Sequence, residues 1–126
     1  MSDLFELFLL QNNLDTMTHL KFIFQTKKGQ IVVDPDDIMY CLADGSYTSI
    51  VLSNHKKLIV SKRISEVEQQ LDGAHFVRIH RSHLVNLQHA AQYVNHASNV
   101  LIMSNGEELK VAEEKKKDVL KSFIRL

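Results

Sequence analysis

Turn signals recur along this chain too closely for helices to join its strands, and that spacing narrows the choice of fold more than any other feature. KFIFQT (21–26) and IVVD (31–34) flank KKGQ, where Gly29 can take the positive φ that a tight turn needs. DIMYCL (37–42) and YTSIVL (47–52) flank ADGS, whose Asp44-Gly45 pair is a strong turn signal. KLIVS (57–61) follows the polar loop SNHK. Five short β segments therefore precede residue 62. Parallel neighbours need a crossover of about a dozen residues or more, and none of these gaps has room for one. The strands must pair antiparallel.

The period then changes. Ile64, Val67 and Leu71 fall on one helical face within 62–72, and Asp72-Gly73 ends it. HFVRI and HLVNL return to strand, and AQYVNHASNVLIMSNGEELKV holds two or three more, with turns at HASN and at Asn105-Gly106, a good type I′ sequence. Residues 113–126 read as a helix with Val119, Leu120, Phe123 and Ile124 as its apolar stripe, acids at its start and bases at its end. Residues 3–20, with Leu4, Phe5 and Phe8 and no Pro or Gly, read as an N-terminal helix. The expectation is a mainly β domain at 21–126 with short helices, preceded by a helical extension at 1–20.

A chain of 126 residues supports one sizeable core. Its single cysteine, Cys41 in IMYCLAD, allows no internal disulfide and reads as a buried small apolar residue. The most apolar stretch, LFELFLLQNNL (4–14), falls short of the roughly 20 residues that span a bilayer. MSD places an acid where a signal peptide carries bases. Cytoplasmic residence is expected, without membrane attachment.

Net charge is zero, but its distribution is uneven. Residues 1–45 carry three Lys against seven acids, and residues 46–126 carry twelve Lys or Arg against eight acids. From Gly73 to Gly106 there is no acid at all, while Arg78, Arg81 and five histidines are present. A polyanion would dock on this half. Enzymatic alternatives find little support. On one strand His80 and His83 would point to opposite faces, and no acid stands near enough in sequence to complete a metal site. Ser82 lacks the glycine-flanked elbow of a nucleophile, and there is no glycine-rich phosphate loop. The acid pairs Asp36-Asp37, Glu107-Glu108 and Glu113-Glu114 sit beside turns or a helix start, where solvation and capping explain them. No catalysis, metal or cofactor is expected.

What survives is FVRIHRSHLVN (76–86). Guanidinium, hydroxyl and carboxamide groups bind phosphate oxygens and base edges, and a loop on a rigid β scaffold can present them. The stretch FVRIHRSHLVNLQHA resembles the signature of the LytTR domain, a bacterial DNA-binding family with a Phe-x-Arg-x-His-Arg-Ser-x-Leu-Val-Asn motif. DIMYCLADGSYTSIVL is similar to that family's early strand pair, KLIVSKRISEVEQQL to its strand and short helix, and VLIMSNGEELKVAEEKKKDVL to its closing hairpin and helix. The likeness runs over about residues 21 to 124.

The resemblance implies an elongated set of small antiparallel sheets with short helices. It also implies the output domain of a transcriptional regulator, often a response regulator, that inserts loops into successive major grooves of duplex DNA at direct repeats. Carried over residue by residue, Tyr47 lies in the first DNA-facing loop and Arg81 in the second. Arg78, Ser82 and Lys62 become phosphate contacts, and His80 and Asn86 brace the loop. The third loop departs from the family pattern: VAEEKKK puts Ala112 and Glu113 where Ser and Arg are common, so either Lys115 and Lys116 take over contact there or binding is weaker and differently specific than the family norm. Glu113 repels phosphate, although it could accept a hydrogen bond from cytosine N4. Two further expectations concern partners. The helix at 3–20 could pair with its counterpart in a homodimer, pack on the module's own core, or be a remnant of a longer chain. Alternatively, the whole chain could be a protein-interaction module on the same fold, with weak or lost DNA binding.

Overall fold

Ten strands, distributed over three antiparallel sheets, form the framework of the computed structural model, which describes residues 21–71, 75–124 and 126. The helix expected at 3–20 and the Asp72-Gly73 stop lie outside the described residues. β1 (Phe22–Thr26) and β2 (Gly29–Val33) form a hairpin of their own. β3 (Ile38–Asp44), β4 (Tyr47–Leu52), β5 (Lys57–Val60), β6 (Phe76–His80) and β7 (His83–Asn86) form a sheet in the order β5-β4-β3-β7-β6. β8 (Ala90–Val94), β9 (Val100–Met103) and β10 (Glu108–Lys110) form the third sheet, and the helices are α1 (Ile64–Gln70) and α2 (Lys116–Lys121).

The central sheet is buried on both faces, which is why its strands read as unbroken apolar runs rather than alternating ones. Ile50 and Leu84 point to one face, where Cys41, Phe24 and Val33 meet Ile64, Val67 and Leu71 around α1. Their chain neighbours Val51 and Val85 point to the other, where Tyr40 and Ile79 meet Leu101, Met103 and Leu109 of the third sheet and Val119 of α2. Each such aliphatic side chain contributes roughly 1.5–3 kcal/mol by leaving water. Burial also pushes the Cys41 thiol up to about 12, so it remains an inert, protonated core group.

Local chemistry departs from expectation in two turns and one helix. Asp44 pairs with Tyr47, so the central residues of that turn are Gly45, at φ 61°, and Ser46, rather than Asp44 and Gly45. In the β9–β10 loop only Gly106 has a positive φ, 88°, so the turn is not type I′. Asn105 instead accepts the Glu107 N–H on its Oδ1 at 3.0 Å, while Gly106 N donates to Met103 O at 2.8 Å. The helix expected over 113–126 is shorter: a 3₁₀ turn at Glu113–Lys115 leads into α2, which ends at Lys121. Val119 is buried and Phe123 joins the core, but Ile124 is 91% exposed and belongs to no stripe.

Candidate nucleic-acid interface

Antiparallel order brings several turns to one end of the central sheet. Leu42 pairs with His83, Asp44 with Tyr47, Thr48 with Val60, and His80 with His83. The Gly45-Ser46 turn, the Arg81-Ser82 tip and the exit of β5 at Lys62 therefore stand side by side. At a strand spacing of about 4.8 Å, this row is roughly 19 Å across. Ala112 N donates to Ile79 O at 2.8 Å, which fastens the 111–116 segment beside the edge strand β6 and extends the row.

Tyr47 is 46% exposed at the start of β4. Thr48, fully buried beside it, donates from Oγ1 to Lys62 O at 2.7 Å, fixing the backbone that carries the exposed Lys62 side chain. At the tip, Ser82 N donates to His80 Nδ1 at 3.1 Å, and the Ser82 carbonyl accepts from Ala43 N at 2.9 Å. Acceptance at Nδ1 leaves the His80 proton on Nε2. Burial, then the nearby His83, Arg81 and Lys110, hold His80 below its ordinary pKa of 6.5, with Glu114 opposing. The ring is neutral at pH 7.

His80 and His83 do not point to opposite faces as a continuous strand would require. The chain reverses at Arg81-Ser82, so the two become cross-strand partners, and their rings stack with centroids 4.6 Å apart. His83 Nδ1 donates to Lys110 O at 3.0 Å, tying the tip to β10. Among the described residues no group of three His, Cys, Asp or Glu is placed to hold a metal ion. Asn86 is 1% exposed, accepts Gln88 N–H at 3.0 Å and donates to Ile38 O at 3.0 Å, so its amide joins β7 to the start of β3.

The resemblance makes Arg78 a phosphate contact. Its guanidinium turns inward: Nε donates to His80 O at 3.0 Å, Nη1 to Glu68 Oε1 at 2.8 Å, and Nη2 to Arg81 O. Arg78–Glu68 is the one ion pair among the described residues, so Lys62, Arg81, Lys110, Lys115 and Lys116 are not engaged that way. Arg81 and Lys62 are exposed, whereas Ser82, Lys115 and Lys116 are half-buried.

An open groove of about 700 Å³ lies between the tip residues His80 and Arg81, the loop 95–99, and the segment 110–114 with Lys116. Glu113 is on this groove but not loose: Asn99 Nδ2 donates to its Oε2 at 2.7 Å, and Tyr93 OH donates to Asn99 Oδ1 at 3.0 Å. Burial first and Glu113 second raise the Tyr93 hydroxyl above its usual pKa, so it stays a donor. The groove thus collects Arg81, Lys116 and Glu113, while Tyr47 and Lys62 lie along the same sheet end, away from it.

Sequence reasoning missed Lys110, Glu68 and Asn99. Lys110 had a readable signal, since Leu109 points inward between exposed Glu108 and Lys110 in β10. Glu68 had none, because its partner is ten residues away on another element.

Residues 28–124 match the LytTr DNA-binding domain family. The chain is 35% identical over 86 residues to the heme-containing CO-sensing transcriptional regulator RcoM 1 of Paraburkholderia xenovorans (strain LB400), a match covering 68% of this chain and 32% of that protein. It is 28% identical over 104 residues to the sensory transduction protein LytT of Bacillus subtilis (strain 168), covering 80% of this chain and 42% of LytT. The match thus spans about a third to two-fifths of these relatives. Among solved structures, the LytTr DNA-binding domain of a Bacillus cereus protein described as a methyl-accepting/DNA response regulator superposes with a TM-score of 0.69 at 26% identity, covering 81% of this chain and 94% of that one.

Proposed function

The chain belongs to the LytTr DNA-binding domain family, and from that premise we propose that it is a sequence-specific, duplex-DNA-binding regulator of transcription that reads DNA with loops rather than with a helix. The observation that carries this reading is the alignment of the Gly45-Ser46 turn, the Arg81-Ser82 tip and the 111–116 segment along one end of a rigid sheet. A row roughly 19 Å across exceeds the width of one major groove, about 12 Å. Its loops therefore enter successive grooves rather than sharing one, and tandem modules suit direct repeats.

In this arrangement Arg81, exposed and without an ion pair among the described residues, forks onto a guanine O6/N7 pair. Tyr47 reads from the neighbouring turn. Lys62, Ser82, Lys115 and Lys116 hold phosphates, which supply most of the affinity but little discrimination. Arg78 stands behind them. The work is non-catalytic and belongs in the cytoplasm; self-association through the 1–20 segment would bring two modules to paired repeats.

Selection of bound fragments from a random duplex pool tests this reading, and a recurrent motif is the expected result. A second reading, a protein-interaction module with weak or absent DNA binding, is favoured by the acidic Glu113 on the groove. The two separate in a salt titration: binding through several phosphates weakens steeply as salt rises, whereas docking of an apolar helix does not.

A further inference from the structure

Resting on that reading, we propose that Arg78 and Glu68 form a positioning clamp that lets α1 set the shape of the Arg81-Ser82 tip, and so the sequence preference of the domain, without either residue touching DNA. Arg78 precedes the tip on β6 yet closes over it, bonding the carbonyls of both His80 and Arg81. Ala43 holds the third tip carbonyl, that of Ser82. Every carbonyl from 80 to 82 is therefore tied to the scaffold, while the Arg81 side chain is left exposed. The register of β6 against β7 is irregular between Arg78 and His80, so the strand ladder alone does not fix the tip there.

Glu68 completes the clamp. It lies on α1, whose Ile64 and Val67, with Leu71 just past its end, are locked in the core, and it accepts from Arg78 Nη1 at 2.8 Å. The Arg78 side chain is 18% exposed and that of Glu68 is 42% exposed, so the pair meets water mainly on the carboxylate side. A guanidinium spreads its donors over a rigid planar fork that can reach three separated acceptors, whereas a lysine ammonium gathers its three donors on one nitrogen. A carboxylate close to a DNA-facing tip would by itself only repel phosphate. Its place against Arg78 makes sense when the orientation of the fork is worth more than the repulsion costs.

The two roles predict opposite signs. If Glu68 were only a nearby negative charge, Glu68→Ala would tighten binding to every duplex. As a positioning residue, it weakens binding to the selected duplex by about tenfold and leaves random DNA unchanged or slightly tighter, the size expected when a base contact is misplaced. Arg78→Gln should lower the preference for selected over random duplex by a similar factor while keeping the slope of log affinity against log salt. If Arg78 instead bound a phosphate directly, the same substitution would make that slope shallower by about one and weaken both duplexes alike.

Affinities of the full chain and both variants, measured by fluorescence anisotropy on selected and scrambled duplexes across a salt series, decide the matter. Far-ultraviolet circular dichroism checks that the fold is kept. Loss of preference at constant slope supports the clamp; tighter binding by Glu68→Ala on both duplexes, or a shallower slope for Arg78→Gln, overturns it while leaving the DNA-binding function standing. A wild-type chain with no preference between duplexes overturns that function and the clamp with it.

Discussion

Arg78 and Arg81 are three residues apart in one motif, and their surroundings give them different tasks. Arg81 is exposed and enters no ion pair with a described residue, so Arg81→Ala should cost about 1–3 kcal/mol on the cognate duplex and flatten preference among sequences. Equal losses on cognate and random DNA, in a competition binding assay, would contradict that role. Asn86 is the opposite case, a buried amide with satisfied bonds to Ile38 O and Gln88 N. Asn86→Leu should destabilise the domain by about 1–3 kcal/mol in urea unfolding, because it strands the buried backbone groups that the amide now serves. Both residues were legible in the motif. What was not legible was the direction of Arg78, since a strand position fixes a side chain's face but not which carbonyls a long, flexible guanidinium will find. His80 adds a pH dependence. Its pKa is lower in the fold than its ordinary value of 6.5, so above 6.5 its neutral form costs nothing. As pH falls below 6.5 the unfolded chain takes up the proton first, and stability drops until the lower folded pKa is passed. Unfolding midpoints at pH 7.5 and 5 should show that decline, and His80→Gln should remove the His80 share of it.

Among the elements, the strands were the most readable because each is bounded by turn residues. The last helix was misread in length. Its apolar positions run on to Ile124, yet α2 stops at Lys121; Val119 and Phe123 pack on the core, while Ile124 is exposed. Its start is weak for a separate reason: Ala112 precedes the Glu113–Lys115 turn and has no side chain to accept the free N–H groups. Ala112→Ser should supply that acceptor and raise stability by about 1 kcal/mol, measured by thermal or urea unfolding. The backbone bond from Ala112 N to Ile79 O is untouched by the change, so the segment should keep its place beside β6. No change in the unfolding midpoint would mean that Ala112 does not act as the cap. The two misassigned turns have a common cause. Asp44-Gly45 and Asn105-Gly106 both announce a reversal, but which residues become central depends on strand register and on Asx bonding, neither of which a dipeptide encodes.

For the whole molecule, antiparallel order puts the loops of the central sheet in a row, and both of its faces are covered. The third sheet and α2 pack on one face, and α1 with the β1–β2 hairpin packs on the other, which leaves the loop-bearing end of the sheet uncovered by either. The sequence announced mainly β structure and a basic, acid-free region. It could not announce that Glu113 would be held by Asn99, because that bond forms only when β8 and β9 bring the 95–99 loop against the start of the last helical segment. The central claim is that this loop-bearing end reads duplex DNA by sequence. Its most direct measurement is the affinity of the full chain for a duplex selected from a random pool, against a scrambled duplex, between about 50 and 200 mM salt. The predicted result is a preference of at least about 10³ for the selected duplex. Affinity should also fall steeply with salt, at a log–log slope of about −0.9 for each phosphate held. Equal affinity for both duplexes, or binding indifferent to salt, would contradict it.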